Sequence, residues 1–208
     1  MILIIIINTS RNRGGKMQEC FCKSKTEDLL EWFVQLIAPV LVGAKPAEIL
    51  SFPWGDKHNG RLEQIKTSIL LNNKVQMKEF TYGGKCTKLF IYNTKALDDT
   101  MADKRNQLFL MKLGYPDIYS RDSYLEVLMD KMQAGSIPDE IGVFLGYPLK
   151  DVIGFMGHAS LKLTKVNGWR VYGDPKVSDK KFNDFMQARA YVKQMLTHSS
   201  PKRILTAV

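Results

Sequence analysis

Residues 140–155, Glu140-Ile-Gly-Val-Phe-Leu-Gly-Tyr-Pro-Leu-Lys-Asp-Val-Ile-Gly-Phe155, and then Asn167-Gly-Trp-Arg-Val-Tyr-Gly-Asp-Pro175 form the densest run of glycine, aromatic residues and proline in the chain. Pro138, Asp139 and Glu140 are first-turn residues, because proline presets φ and carboxylates favour the positive end of a helix. Ile141, Phe144 and Leu145 follow at helical spacing. Gly146 falls where a left-handed helix stop is wanted, and Pro148 ends that helix while opening the next, Leu149 to Phe155. Ser160 to Val166 alternates roughly between polar and apolar. Asn167-Gly168 then separates it from Trp169 to Tyr172, which is the strongest short signal for a hairpin. Two angled helical turns feeding a two-stranded ribbon predict a wall against which other helices dock.

The same segments carry a family resemblance. The runs from Glu140 to Phe155 and from Trp169 to Asp174, with weaker matches at Ala38-Pro39, Gly43, Lys45-Pro46-Ala47 and Gly114-Tyr115-Pro116, resemble an uncharacterised bacterial family, the domain-of-unknown-function 3793 family. The likeness begins near Met17 and covers most of the chain after it. It implies membership without implying an activity. Members tend to carry His-Cys immediately before the Ala-Pro pair, where this chain has Leu36 and Ile37, and that departure counts against thiol or imidazole chemistry there.

Two hundred and eight residues, 45% hydrophobic and 25% charged, are ordinary for a globular chain able to bury a substantial core. No apolar run approaches the roughly 20 residues that span a bilayer, so no membrane partner is expected. Cys20, Cys22 and Cys86 are an odd number without a disulfide framework, which points to a reducing cytoplasm. His58, His158 and His198 are scattered, so no metal site is expected. The net charge of +9 is uneven: residues 150–208 hold 11 basic against 4 acidic side chains. A basic C-terminal third suits nucleic acid or phosphate ligands, although a lysine-rich solvated surface explains it more simply.

Residues 1–16 have three readings. Ile2 to Ile7 followed by a glycine-containing loop resembles a buried strand and phosphate loop, but lacks the Walker and dinucleotide spacings. A signal peptide would need a preceding positive region and a small-residue cleavage site. The third reading is upstream sequence: Arg13-Gly-Gly-Lys-Met17 can be encoded by a purine-rich ribosome-binding string followed by ATG, so residues 1–16 are expected to be a non-native or disordered extension. The domain proper is then 17–198, with residues 199–208 a frayed tail.

Ser24 and Glu27 fit a capping box for a helix running to about Ile37. Gly43 to Glu48 reads as a turn into a short helix ending near Phe52, with Lys45 a candidate anion contact. Arg61 to Leu71 reads as a helix, and Glu79 to Tyr82 with Thr87 to Tyr92 as a hairpin whose second strand is central. Leu97 to Leu113 reads as one long helix ending in Leu113-Gly-Tyr-Pro116, the same four residues as Leu145-Gly-Tyr-Pro148; each is a glycine-capped stop. Tyr124 to Met132 and Asp179 to Leu196 are further amphipathic helices. The expected architecture is α+β: a small, mainly antiparallel sheet of about three to five strands covered by helices.

Nucleophile-elbow, zinc and paired-carboxylate motifs are absent. The candidate pocket lies beside the opening stretch: Glu140, Tyr147, Asp151, Trp169, Tyr172 and Asp174. Helix capping explains the carboxylates more cheaply than catalysis, and core packing suits most of the aromatics. The leading expectation is a cytoplasmic binding or regulatory protein of unknown ligand and cofactor. An enzyme on a small or phosphorylated substrate, and a nucleic-acid binder through the basic third, are the alternatives.

Overall fold

The computed structural model describes residues 26–53, 56–82, 86–134 and 136–207. The first twenty-five residues, including the proposed extension, Ser24 and the Cys-x-Cys pair, lie outside them.

The fold is α+β. Three antiparallel strands, β1 (Ala47–Pro53), β2 (Val75–Tyr82) and β3 (Cys86–Asn93), are ordered β1-β3-β2. Their register is set by Ala47 opposite Tyr92 and Val75 opposite Asn93. The central strand β3 is apolar on both faces, as burial on both sides requires. Phe90 and Tyr92 face one core with Ala47, Ile49 and Phe80. Leu89 and Ile91 face another with Leu50 and Val75.

Helices cover both faces. On the first side lie α4 (Thr94–Met101), α5 (Lys104–Met111), α6 (Arg121–Gln133), α7 (Ile141–Phe144) and α8 (Leu149–Phe155). On the second lie α1 (Thr26–Leu36), α2 (Ala38–Leu41), α3 (Asp56–Leu70), α9 (Lys176–Leu196) and α10 (Pro201–Ala207). A separate hairpin, β4 (Leu163–Asn167) and β5 (Trp169–Tyr172), packs through β5 against α8. Gly168 has φ +72° but Asn167, like every described residue other than glycine, does not have a positive φ, so the turn is not the mirror-image type that Asn-Gly usually makes.

Three expectations are corrected. The segment read as a short helix before Phe52 is strand β1: a brief apolar run carries no decisive period, and pairing along β3 settles its state. The long helix over 97–113 is two helices, because Asp103 accepts a hydrogen bond from Arg105 N and caps a new start. The tail is not frayed: α10 buries Ile204 and Leu205, and the Leu205 carbonyl accepts a 2.6 Å hydrogen bond from Asn72 Nδ2.

Candidate functional site

The two Leu-Gly-Tyr-Pro stops close alike. Gly114 has φ +90° and Gly146 φ +78°. Tyr115 N donates to Leu110 O and Tyr147 N to Gly142 O, while each glycine N–H donates three residues back, the paired bonds of a left-handed helix stop. Each stop then sets a tyrosine ring beneath a lysine–glutamate pair. Lys131 Nζ lies 4.5 Å from the Tyr115 ring centroid and bonds Glu140 at 2.7 Å. Lys45 Nζ lies 5.5 Å from the Tyr147 centroid and bonds Glu48 at 2.8 Å.

Among the six candidate pocket residues, Tyr147, Asp151, Trp169 and Tyr172 come together. Asp151, only 2% exposed, opens α8 and accepts from four donors. Trp169 Nε1 (2.8 Å) and Ser178 Oγ (2.6 Å) donate to Oδ2, and Tyr172 N (2.8 Å) and Lys150 Nζ (2.6 Å) donate to Oδ1. Lys150 spends its other N–H groups on Tyr172 O and Ser178 Oγ. The knot ties α8, β5 and the first turn of α9. Trp169 stacks on Tyr147 with centroids 4.7 Å apart and 19° between planes, and Phe182 and Phe185 of α9 enclose its other side. The close approach of α8 to β5 depends on Gly154, where a Cβ would sit 2.4 Å from Tyr172 Cγ.

Glu140 and Asp174 do not join them. Glu140 is buried toward α5 and α6, held by Lys131 and by Tyr115 Oη at 3.3 Å. Asp174 is exposed and accepts from Lys176 N at the start of α9. Around the knot, the cleft bounded by Asp139, Gly142, Tyr147, Asp151, Val152, Phe155, Trp169 and Arg170 leaves about 20 Å³, room for a single ordered water. Every Asp151 oxygen is already in use, so its chemistry is structural.

Lys45 is not at a helix N-terminus, since β1 follows it. The residue is 5% exposed, and its ammonium lies beside the rings of Tyr147 and Phe185. Burial is the largest single influence and pulls its pKa down, but the Glu48 carboxylate and Tyr147 together outweigh it and leave the pKa above the ordinary lysine value. Burial pushes the Tyr147 phenol up. Tyr147 Oη makes no hydrogen bond among the described residues.

Sequence reasoning missed the larger concavity. Between α1 and α9, Trp32, Gln35, Leu36, Met186, Arg189, Ala190 and Lys193 line a groove of about 430 Å³ with a mostly apolar surface. The residues 186, 189, 190 and 193 share one α9 face by helical spacing, which was legible. The docking of that face against α1 joins segments about 155 residues apart, and no local pattern gives it. Neither Arg189 nor Lys193 has a carboxylate in ion-pair reach among the described residues. These residues include no group of three or more metal-ligating side chains, and no helix among them is long and apolar enough to cross a membrane.

The molecule is thus a three-layer α+β fold with its buried Asp151 carboxylate spent internally and an apolar, cation-edged groove between α1 and α9. The profile of the family described as "Protein of unknown function (DUF3793)" matches residues 33–205, and the chain belongs to that family. No curated protein and no solved structure matches it.

Proposed function

We propose that this chain is a non-catalytic binding protein whose α1–α9 groove holds a small amphiphile, an apolar body bearing one acid group. One observation carries the reading: a groove of about 430 Å³, inside the range of about 300–1,000 Å³ usual for small-ligand sites, has mostly apolar walls and two cations without carboxylate partners among the described residues. Charge complementarity then selects an acid over a neutral or basic ligand. The odd cysteine count supports a cytoplasmic setting. Catalysis at the Asp151 knot is disfavoured because a substrate would have to displace four internal donors. Nucleic-acid binding is disfavoured because Lys165 and Lys180 of the basic third already face Asp179 and Asp184.

The test is fluorescence of the neutral dye 1-aminoanthracene. The wild-type chain should bind the dye and release it to decanoate, and Ala190→Trp, which fills the groove, should lose binding while keeping its circular dichroism and melting temperature. Dye binding unchanged in Ala190→Trp, or no dye binding by the wild type, overturns the proposal.

A further inference from the structure

The turn that joins α3 to β2 leaves two neighbouring leucines in water. Leu70 ends α3 at 76% exposure, and Leu71 follows at 51%. A single exposed leucine is ordinary, but two in succession on a firmly held turn are not. The holding group is Asn72, which is buried. Its Oδ1 accepts from Lys74 N and Val75 N, both at 2.7 Å, and its Nδ2 donates to Leu205 O at 2.6 Å. The backbone is thus fixed directly beneath the leucines, and they cannot fold back onto the core without breaking those bonds.

The bond to Leu205 also decides what surrounds them, because it sets α10 against the end of α3. Helix α10 buries Ile204 and Leu205 and turns Lys202, Arg203, Thr206 and Ala207 to solvent. Lys74 is exposed on the turn itself. Lys74, Lys202 and Arg203 have no carboxylate in ion-pair reach among the described residues. The chain carries no acidic residue from Gln64 to Lys78 and none after Asp184. Two acid-free stretches, joined by a bond that reaches across 133 residues, therefore meet at one corner with an apolar tip between their cations.

We propose that this corner, Leu70 and Leu71 with Lys74, Lys202 and Arg203, docks on an anionic lipid bilayer. Charge complementarity requires a negative partner. The apolar tip chooses among negative partners. Nucleic acid would meet the cations through its phosphates and leave both leucines in water. A protein would need a pocket matched to the protruding turn. A bilayer interface yields to an apolar tip while its headgroups meet the surrounding cations. The lack of a spanning run bears on crossing a bilayer, not on resting against one. The proposal stands apart from the α1–α9 groove, since none of these five residues lines it.

The experiment is co-sedimentation of the full chain with sucrose-loaded vesicles, either pure phosphatidylcholine or an equimolar mixture with phosphatidylglycerol. The wild type should bind the mixed vesicles, release them in high salt and ignore the neutral ones. Lys74→Gln and Arg203→Gln should each weaken binding about fivefold, and Leu70→Ser with Leu71→Ser at least about tenfold. Lys181→Gln, an equal loss of charge in the first turns of α9, should change little. Ala190→Trp should bind vesicles as the wild type does, so a failed groove leaves this result intact. Melting curves of the surface variants check that each remains folded. The proposal is overturned if the wild type ignores the mixed vesicles, or if Lys181→Gln weakens binding as much as Lys74→Gln. It is equally overturned if the double serine variant binds as the wild type does, which is the pattern of a nucleic-acid surface, or if Ala190→Trp abolishes binding, which would place the lipid contact in the groove.

Discussion

Two glycines with the same neighbours separate backbone strain from steric room. Gly114 and Gly146 both take φ well inside the left-handed region, which costs an L-residue about 1–2 kcal/mol. A Cβ on Gly114 meets nothing within 4 Å, whereas one on Gly146 lies 2.5 Å from Pro46 Cδ and 2.9 Å from Pro46 Cγ. Pro46 is a rigid ring at the entrance to β1 and has no flexible end to swing away. Gly114→Ala should therefore destabilise by about 1 kcal/mol, and Gly146→Ala by about 3 kcal/mol or more, as overpacking adds to the strain. Urea unfolding of the two variants measures the difference; equal losses would mean that the Pro46 contact yields. The stop itself was legible in the letters Leu-Gly-Tyr-Pro, because glycine followed by proline allows few backbones. The reason why one copy tolerates less was not, since Pro46 is 100 residues away.

At the level of elements, legibility followed how much each segment owes to itself. Helices α7 and α8, the β4–β5 hairpin and the central strand β3 carry their own caps, turn and period, and the sequence reading placed all of them. Strand β1 does not: Ala47 to Phe52 has neither alternation nor helical spacing, and its state comes from β3. The break between α4 and α5 was written in Asp103, a good capping residue, but the apolar spacing from Leu97 to Leu113 outweighed one side chain. In the site, the meeting of Asp151, Trp169 and Tyr172 was anticipated, because the hairpin returns directly to the helix before it. The parts played by Lys150 and Ser178 were not, since a lysine and a serine at helix starts have cheaper uses. The knot they complete binds three elements, so its failure should be felt by all three. Asp151→Asn keeps the shape, removes the counterion of Lys150 and sets an amide N–H₂ among donors. The expected loss is about 3 kcal/mol, together with weakened near-ultraviolet dichroism as Trp169 loses its partner. A variant as stable as the parent would show that the four bonds to Asp151 add nothing net.

Across the whole molecule, ionisable groups pull stability in opposite directions at the two ends of the pH scale. Burial first, and nearby carboxylates second, raise the phenols of Tyr115 and Tyr119 above the ordinary value near 10. Burial likewise raises Tyr92, Tyr124 and Tyr147. A phenol with a raised folded-state pKa holds its proton where the unfolded chain has lost it. That stability is complete below pH about 10 and falls as pH rises further. Lys45, also raised, loses its contribution in the same direction. On the acid side the hydrogen-bonded Arg121 guanidinium holds Asp98 below the ordinary carboxylate range, so its contribution is present at neutral pH and fades as pH falls below about 4. Absorbance at 295 nm should show tyrosinate from these five rings appearing only with cooperative alkaline unfolding. Five rings titrating near pH 10 in the folded chain would refute this.

The bonds to Asp151 from Trp169, Tyr172 and Ser178 reach only 18, 21 and 27 residues along the chain. Closing such short loops costs little entropy, so this corner can assemble without waiting for the sheet. Amide-exchange labelling should then find the segment from Tyr147 to Phe185 protecting and releasing its protons as one block, on a schedule separate from that of strands β1 to β3.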